Sequence, residues 1–142
     1  MLDGVALSRE GAAQIAELRG LLAGADEEAL GRACVGREKL GDGTVTACAA
    51  HTIRNYGRVL ELAGVSGAPG TPSGRDQLLV ALDAVAASFA GLASLPEASL
   101  QAVSAPSEGM RFADGSRTVA EIVAAALKHQ RHQVAAIGAS LS

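Results

Sequence analysis

Apolar residues recur every three to four positions along most of this 142-residue chain. That spacing places them on one face of an α-helix, whereas the strict alternation of apolar and polar residues that a half-buried strand needs is hard to find. The pattern therefore predicts four long helices, with many alanines to favour them. Their predicted ranges are 9–23, 44–63, 74–94 and 119–141.

Capping residues support three of these helices. Ser8 precedes the first one, and Ser73 with Asp76 has the spacing of a capping box at the start of the third. Thr118 and Glu121 form a stronger capping-box signature just ahead of the last apolar run. We therefore predict an all-α fold, an antiparallel four-helix bundle, in a single domain over residues 1–142.

Two segments between the helices are less regular. Residues 26–40 are compatible with a short helix before the second long one. Residues 95–117 form a long connection between the third and fourth helices, with an Asp-Gly turn near its end. Connections of this length inside a compact domain are usually functional or mobile, and we expect this one to cross one end of the bundle.

Composition narrows the possible partners. Lys and Arg number 12 against 15 Asp and Glu, a net charge of -3, which argues against nucleic acid and anionic membranes as partners. No run of about 18 apolar residues is visible, so we predict no membrane span. The start of the chain lacks the features of a secretory signal, and the two cysteines, Cys34 and Cys48, are too few for a disulfide framework. These features predict a cytoplasmic protein.

The three histidines are the candidate chemical groups. His129 and His132 belong to HQRHQ in the last predicted helix, and His51 belongs to the second. At about 100° per residue, Gln130 and Gln133 lie within the apolar face of the last helix and His129 lies at its edge. By the same arithmetic His132 points roughly 150° away from the centre of that face, toward solvent. The two glutamines, if buried, are either site residues or mark a wet cavity, because buried amides need partners.

The second helix supplies the facing residues. His51 lies at the margin of its apolar face beside Cys48 and Asn55, so His51 and His129 are predicted to meet across a groove. Cys48 is either a thiolate ligand, half of a Cys-His nucleophilic pair, or a small buried hydrophobe. Asn55 and Tyr56 are further pocket candidates, although Tyr56 fits equally well in the core with its hydroxyl at the rim.

Three stretches carry a resemblance to a known family. They are TVTACAAH at 44–51, DGSRTVAEIV at 114–123 and HQRHQ at 129–133. Together they resemble the DinB family of damage-inducible, YfiT-like four-helix bundles, which have a metal site near one end. In that family a ligand histidine follows seven residues after the Ser or Thr that opens the second helix, and the last helix carries a His-x-x-His-His motif. The first and last histidines of that motif complete the ligand triad.

The resemblance implies His51 and His129 as ligands, with Gln133 in the third ligand position and His132 beside it. Three interpretations of this site stay open. A zinc, nickel or iron ion is held by His51, His129 and Gln133 with lowered affinity, since an amide oxygen is a weaker ligand than imidazole for these metals. Alternatively His132 rotates in, or the site is metal-free.

Two alternative functions follow from these interpretations. The first is a metal-dependent enzyme, in which the family resemblance implies either thiol S-transfer with a low-molecular-weight thiol such as bacillithiol or mycothiol, or metal-assisted hydrolysis of a small-molecule substrate. The second is a non-catalytic, metal-free bundle that is stress-associated or binds a small molecule. Without a metal, either His51 or His129 could still act as a general base. The family also implies homodimers, which the alanine-rich helix faces would permit.

Overall fold

The fold is described from a computed structural model, over residues 3–65 and 70–142. Within these ranges the chain forms α-helices and no β-strand, which confirms the all-α prediction. In the described part of the chain, a 3-10 turn at Gly91–Ser94 follows directly on the helix that ends at Ala90. The helices are α1 (Gly4–Ala23), α2 (Glu27–Leu30), α3 (Val45–Leu62), α4 (Arg75–Ala90), α5 (Glu97–Gln101) and α6 (Val119–Leu141).

Two helix starts agree with the sequence. The hydroxyl of Thr44 accepts the backbone N–H of Ala47 at 3.2 Å, which caps α3. Thr118 and Glu121 form the predicted capping box of α6, because each side chain accepts a hydrogen bond from the backbone N–H of the other. The two helices that carry the candidate histidines are thus fixed at their N-termini by their own sequence.

The other two predicted caps are wrong, although α4 begins at Arg75, one residue from its predicted start. Helix α1 begins at Gly4, five residues earlier than expected, and its cap is Asp3 instead of Ser8. The capping box of Ser73 and Asp76 does not form, because the N-cap of α4 is Gly74, with φ at +86°, a conformation that glycine adopts readily. Short cap signatures repeat by chance, and tertiary contacts decide which of them is used.

The four long helices pack around a common core. Helices α1 and α3 each contact both α4 and α6. Helix α1 packs closely against α4 at Gly11, which leaves room for the ring of Phe89: a Cβ at Gly11 would lie 2.4 Å from that ring. Phe89 in turn contacts the ring of Tyr56 on α3 edge to face, with 5.7 Å between the centroids.

A buried glutamine ties three helices together at the centre of this core. The amide oxygen of Gln14 on α1 accepts the hydroxyl of Tyr56 at 2.7 Å. Its amide nitrogen donates to the backbone oxygen of Leu127 on α6 at 2.9 Å. A buried polar group with its partners in place restricts how helices can slide, so these bonds fix the relative positions of α1, α3 and α6.

The long connection before α6 folds back on itself. Its outer pair of backbone bonds includes Ser104 N–H to Arg117 oxygen at 2.9 Å, and its inner bond runs from Ser107 N–H to Ala113 oxygen at 2.9 Å. These bonds close a loop whose tip, residues 109–112, lies against α3 and α6. The connection therefore contributes one wall of a pocket, which its length alone did not specify.

The predicted short helix in 26–40 is α2, and the segment after it returns to the start of α3. The backbone N–H of Cys34 donates to the oxygen of Gly43 at 2.8 Å, beside an isolated bridge between Ala33 and Thr44. This return places Arg37 near the middle of α6. The sequence had given no indication of that contact.

One helical stretch has the dimensions of a membrane span, which the sequence analysis did not anticipate. Arg75–Ser94 has 20 residues and a mean hydropathy of 1.6. A core helix of a protein that never enters a membrane passes the same test, and Leu78, Leu82 and Phe89 of this stretch belong to the core. The finding therefore does not place the chain in a membrane.

Candidate functional site

A pocket of about 280 Å³ lies between α3, α6 and the loop tip 109–112. His51 and His129 both line it, so the structure places them on a shared groove, as the helical spacing predicts. The three walls are supplied by His51, Asn55, Arg58 and Val59 of α3, by Ala126, His129 and Gln130 of α6, and by Gly109, Met110, Arg111 and Phe112 of the loop tip.

His51 is half-buried and held by the residue one turn further along α3. The side-chain nitrogen of Asn55 lies 3.1 Å from Nε2 of His51. Burial lowers the pKa of His51 below its ordinary value, and the positive charge of Arg54 adds to the effect. The neutral imidazole is therefore the favoured form near neutral pH, with Nε2 accepting from the amide and the proton on Nδ1.

His129 has a cationic neighbour instead of an amide. A terminal nitrogen of Arg111 lies 3.5 Å from Nδ1 of His129, and the ring of Phe112 lies edge-on with 6.3 Å between the centroids. Burial lowers the pKa of His129, and the charges of Arg111 and Arg37 lower it further. Both histidines of the pocket are thus favoured as neutral rings.

The other two candidate ligands in HQRHQ, His132 and Gln133, lie outside the pocket. His132 is exposed, as its helical angle predicts. Gln133 is buried, but its amide oxygen accepts a hydrogen bond from Nε of Arg37. The residue in the family's third ligand position is therefore bound to a guanidinium that comes from the segment between α2 and α3.

Gln130 is the buried amide that faces the pocket. It is only 1 % exposed, and its amide nitrogen donates to the backbone oxygen of Thr52 at 2.7 Å. Its oxygen Oε1 is buried and has no hydrogen-bond partner within the part of the chain that the structure describes. An acceptor of this kind needs a donor from elsewhere, because leaving it unpaired costs roughly 1–3 kcal/mol.

Cys48 and Tyr56, the other two pocket candidates, point elsewhere. Tyr56 is buried against α1, and its hydroxyl is used by Gln14, so it has the core role that the sequence analysis left open for it. Cys48 is fully buried beside Cys34, a partner that the sequence did not reveal. Burial raises the pKa of the Cys48 thiol to about 12, and the hydrogen bond with Cys34 adds to the shift.

We therefore expect Cys48 to be unreactive in the folded protein. At pH 8 its thiol stays protonated, and the thiolate is the form that alkylates. Peptide mass mapping after iodoacetamide treatment should show an unmodified Cys48 under native conditions. Full modification is expected in urea at about 8 M, where the protein is unfolded. Fast native alkylation that a Cys48→Ser variant abolishes would contradict this expectation.

The most important residues that the sequence analysis missed are arginines. Arg58, which helical spacing alone did not single out, lines the pocket and donates to the backbone oxygen of Glu108 at 3.2 Å. The loop can approach it because the next residue is Gly109, with φ at +78°, where a Cβ would lie 2.7 Å from the guanidinium. Arg111 is positioned over the ring of Phe112 at 5.0 Å.

These arginines set the electrostatic character of the pocket. Arg58 and Arg111 line it, and Arg37 is close enough to His129 to lower the pKa of that ring. Among the described residues that line the pocket, none carries a carboxylate. The pocket is therefore positively charged, which favours anions and opposes cations.

A divalent metal fits this arrangement poorly. Gln133 would have to release the Arg37 guanidinium to become a ligand, and Nε2 of His51 already has Asn55 as a neighbour. Within residues 3–65 and 70–142, no three His, Cys, Asp or Glu side chains are grouped as metal ligands. A dication would also sit near Arg58 and Arg111 with no carboxylate to offset their charge, and such sites usually include anionic or several imidazole ligands.

Known proteins give no further guidance. Comparison of the chain with protein-family models, with curated proteins and with solved structures gave no match. The DinB resemblance therefore depends on the three sequence stretches quoted above and stays a prediction.

Proposed function

We propose that this chain is a DinB-like four-helix bundle that binds a small organic molecule, without a metal, in the pocket of His51 and His129. Four long helices of about the expected lengths and order support the bundle. The pocket lies where the resemblance places the family's site, between the second and last long helices. What differs is the set of side chains around it.

The observation that carries the metal-free function is the bond between Arg37 and Gln133. In the family pattern, the third ligand would come from this position. Here the amide oxygen is the acceptor of a guanidinium, a strong charge-assisted bond, and an amide oxygen is in any case a weak ligand for zinc, nickel or iron. This chain thus has Gln133 in place of the ligand histidine and supplies the guanidinium of Arg37 to bind that glutamine.

One observation favours the metal-dependent enzyme as the second candidate. Burial lowers the pKa values of His51 and His129, so both rings are neutral, and neutral imidazole is the form that binds metals. Two such rings on one pocket are a partial ligand set. The experiment must therefore measure metal binding directly.

Metal content should separate the two candidates. Untagged protein, purified without chelators and dialysed against zinc, nickel or iron(II), is analysed for bound metal beside the variants Gln133→His and His132→Gln. We expect the parent and His132→Gln to hold far less than one ion per chain. Gln133→His restores the imidazole of the family pattern and should bind more metal than the parent.

Stoichiometric metal in the parent that His51→Ala and His129→Ala both abolish would overturn the proposed function. The His132→Gln variant is the matched control, because that side chain is exposed and lies one residue from Gln133. If His132→Gln alone removed the metal, the orientation of α6 would also be wrong. Melting temperatures of all variants show whether each one folds.

A further inference from the structure

We infer that the ligand of this pocket is a small organic anion, a carboxylate with an apolar body and a hydroxyl or amino donor. The inference deepens the proposed function and depends on it. Three independent features of the pocket carry it: its charge, one unpartnered acceptor, and an apolar wall. Each feature selects one part of the ligand.

The positive end of the pocket selects the carboxylate. Arg111 directs one terminal nitrogen at His129, which leaves other guanidinium donors for a ligand, and a guanidinium is planar and matches a carboxylate with two parallel bonds. Arg58 is held at the same pocket by the oxygen of Glu108. None of the described residues that line the pocket carries a carboxylate that would compete for the two guanidinium groups. These groups therefore attract an anion, and binding it costs little free energy.

The buried amide oxygen selects the donor. Oε1 of Gln130 has no partner in the described chain, whereas the nitrogen of the same amide is fixed by the oxygen of Thr52. That fixed bond holds the amide in place on a side chain that lines the pocket. A ligand hydroxyl or amine would satisfy it, while a bare carboxylate, with no donor when ionised, would not.

The remaining wall selects an apolar body. Val59 of α3, Ala126 of α6 and the ring of Phe112 form this part of the pocket lining. The volume of about 280 Å³ is at the low end for ligand sites, so the ligand is compact. Inorganic anions would leave this wall without contacts.

Isothermal titration with three matched probes tests the inference. The probes are 4-hydroxybenzoate, benzoate, which lacks the hydroxyl, and 4-hydroxybenzamide, which lacks the negative charge. We expect 4-hydroxybenzoate to bind about 2- to 10-fold more tightly than benzoate, the value of one neutral hydrogen bond. It should bind at least about tenfold more tightly than the amide, because charge-assisted bonds are stronger.

Variants assign these differences to side chains. Arg111→Leu should weaken 4-hydroxybenzoate by about tenfold or more, and Gln130→Leu should remove the preference over benzoate. Arg9→Leu is the matched control, because Arg9 is exposed on α1, a helix that supplies none of the described lining residues, and it should leave the affinity unchanged. Arg111 is itself exposed, so its replacement does not threaten folding.

Two results would overturn the inference. One is the absence of 4-hydroxybenzoate binding, and the other is an affinity for the amide, or for inorganic phosphate, equal to that for the acid. If the neutral amide binds and Arg111→Leu has no effect, the metal-free binding function stands and only the anion assignment fails. Failure of the proposed function itself is seen separately, as bound metal that depends on His51 and His129.

Discussion

Replacement of Phe89 by alanine should lower the free energy of unfolding by about 3–5 kcal/mol, the usual range for a large buried aromatic residue. Phe89 is fully buried on α4, packs into the space that Gly11 leaves on α1, and contacts the ring of Tyr56 on α3. Its removal would leave a cavity shared by three helices. Collapse around that cavity is limited, because the backbone of α1 is already in close contact there.

Urea denaturation monitored by circular dichroism measures this loss. Val80→Ala is the matched control, because Val80 lies on the same helix and is 70 % exposed. Its effect should stay within about 0.5 kcal/mol, as for most surface substitutions. If Phe89→Ala cost less than about 1 kcal/mol, the packing of α4 against α1 and α3 would be wrong.

The second large effect concerns the buried polar contact in the core. Tyr56→Phe should lower the free energy of unfolding by about 1–3 kcal/mol, because it leaves Oε1 of Gln14 buried without its donor. Burial also raises the pKa of Tyr56, as expected for a phenol that stays protonated in the core. The hydroxyl therefore stays protonated and acts as a hydrogen-bond donor near neutral pH.

A double-mutant cycle isolates this contact. Gln14→Leu alone leaves the Tyr56 hydroxyl unpaired and also removes the bond to Leu127. Together with Tyr56→Phe it should cost less than the sum of the two single changes, by about 0.5–3 kcal/mol. Additivity within about 0.3 kcal/mol would mean that the two side chains do not interact in solution.

Much of the fold could be predicted from local sequence. The apolar spacing specified four long helices, the capping box of Thr118 specified where α6 begins, and the predicted range from 44 agrees with the start of α3 at Val45. The start of α1 could not be predicted, because Asp3 and Ser8 are both competent caps and only packing decides between them. Helical periodicity reports on one element at a time.

The site was predictable to the same extent. Helical angles placed His51, His129 and Gln130 toward one pocket and His132 toward solvent. They could not place Arg37 or Arg111, because these residues come from irregular segments whose path depends on backbone bonds such as Cys34 to Gly43 and Ser107 to Ala113. Two of the three arginines that give the pocket its charge, Arg37 and Arg111, were therefore out of reach of sequence periodicity, whereas Arg58 lies on the regular helix α3.

We expect this pocket to accept an organic anion where the family that the sequence resembles would hold a metal. The most direct measurement is a crystal structure of the untagged protein grown with equimolar zinc and excess 4-hydroxybenzoate, with anomalous data collected at the zinc edge. We expect a carboxylate beside Arg111, a hydroxyl on Oε1 of Gln130, and no anomalous peak between His51 and His129. A zinc peak bound by those two histidines, with Gln133 turned away from Arg37, would contradict it.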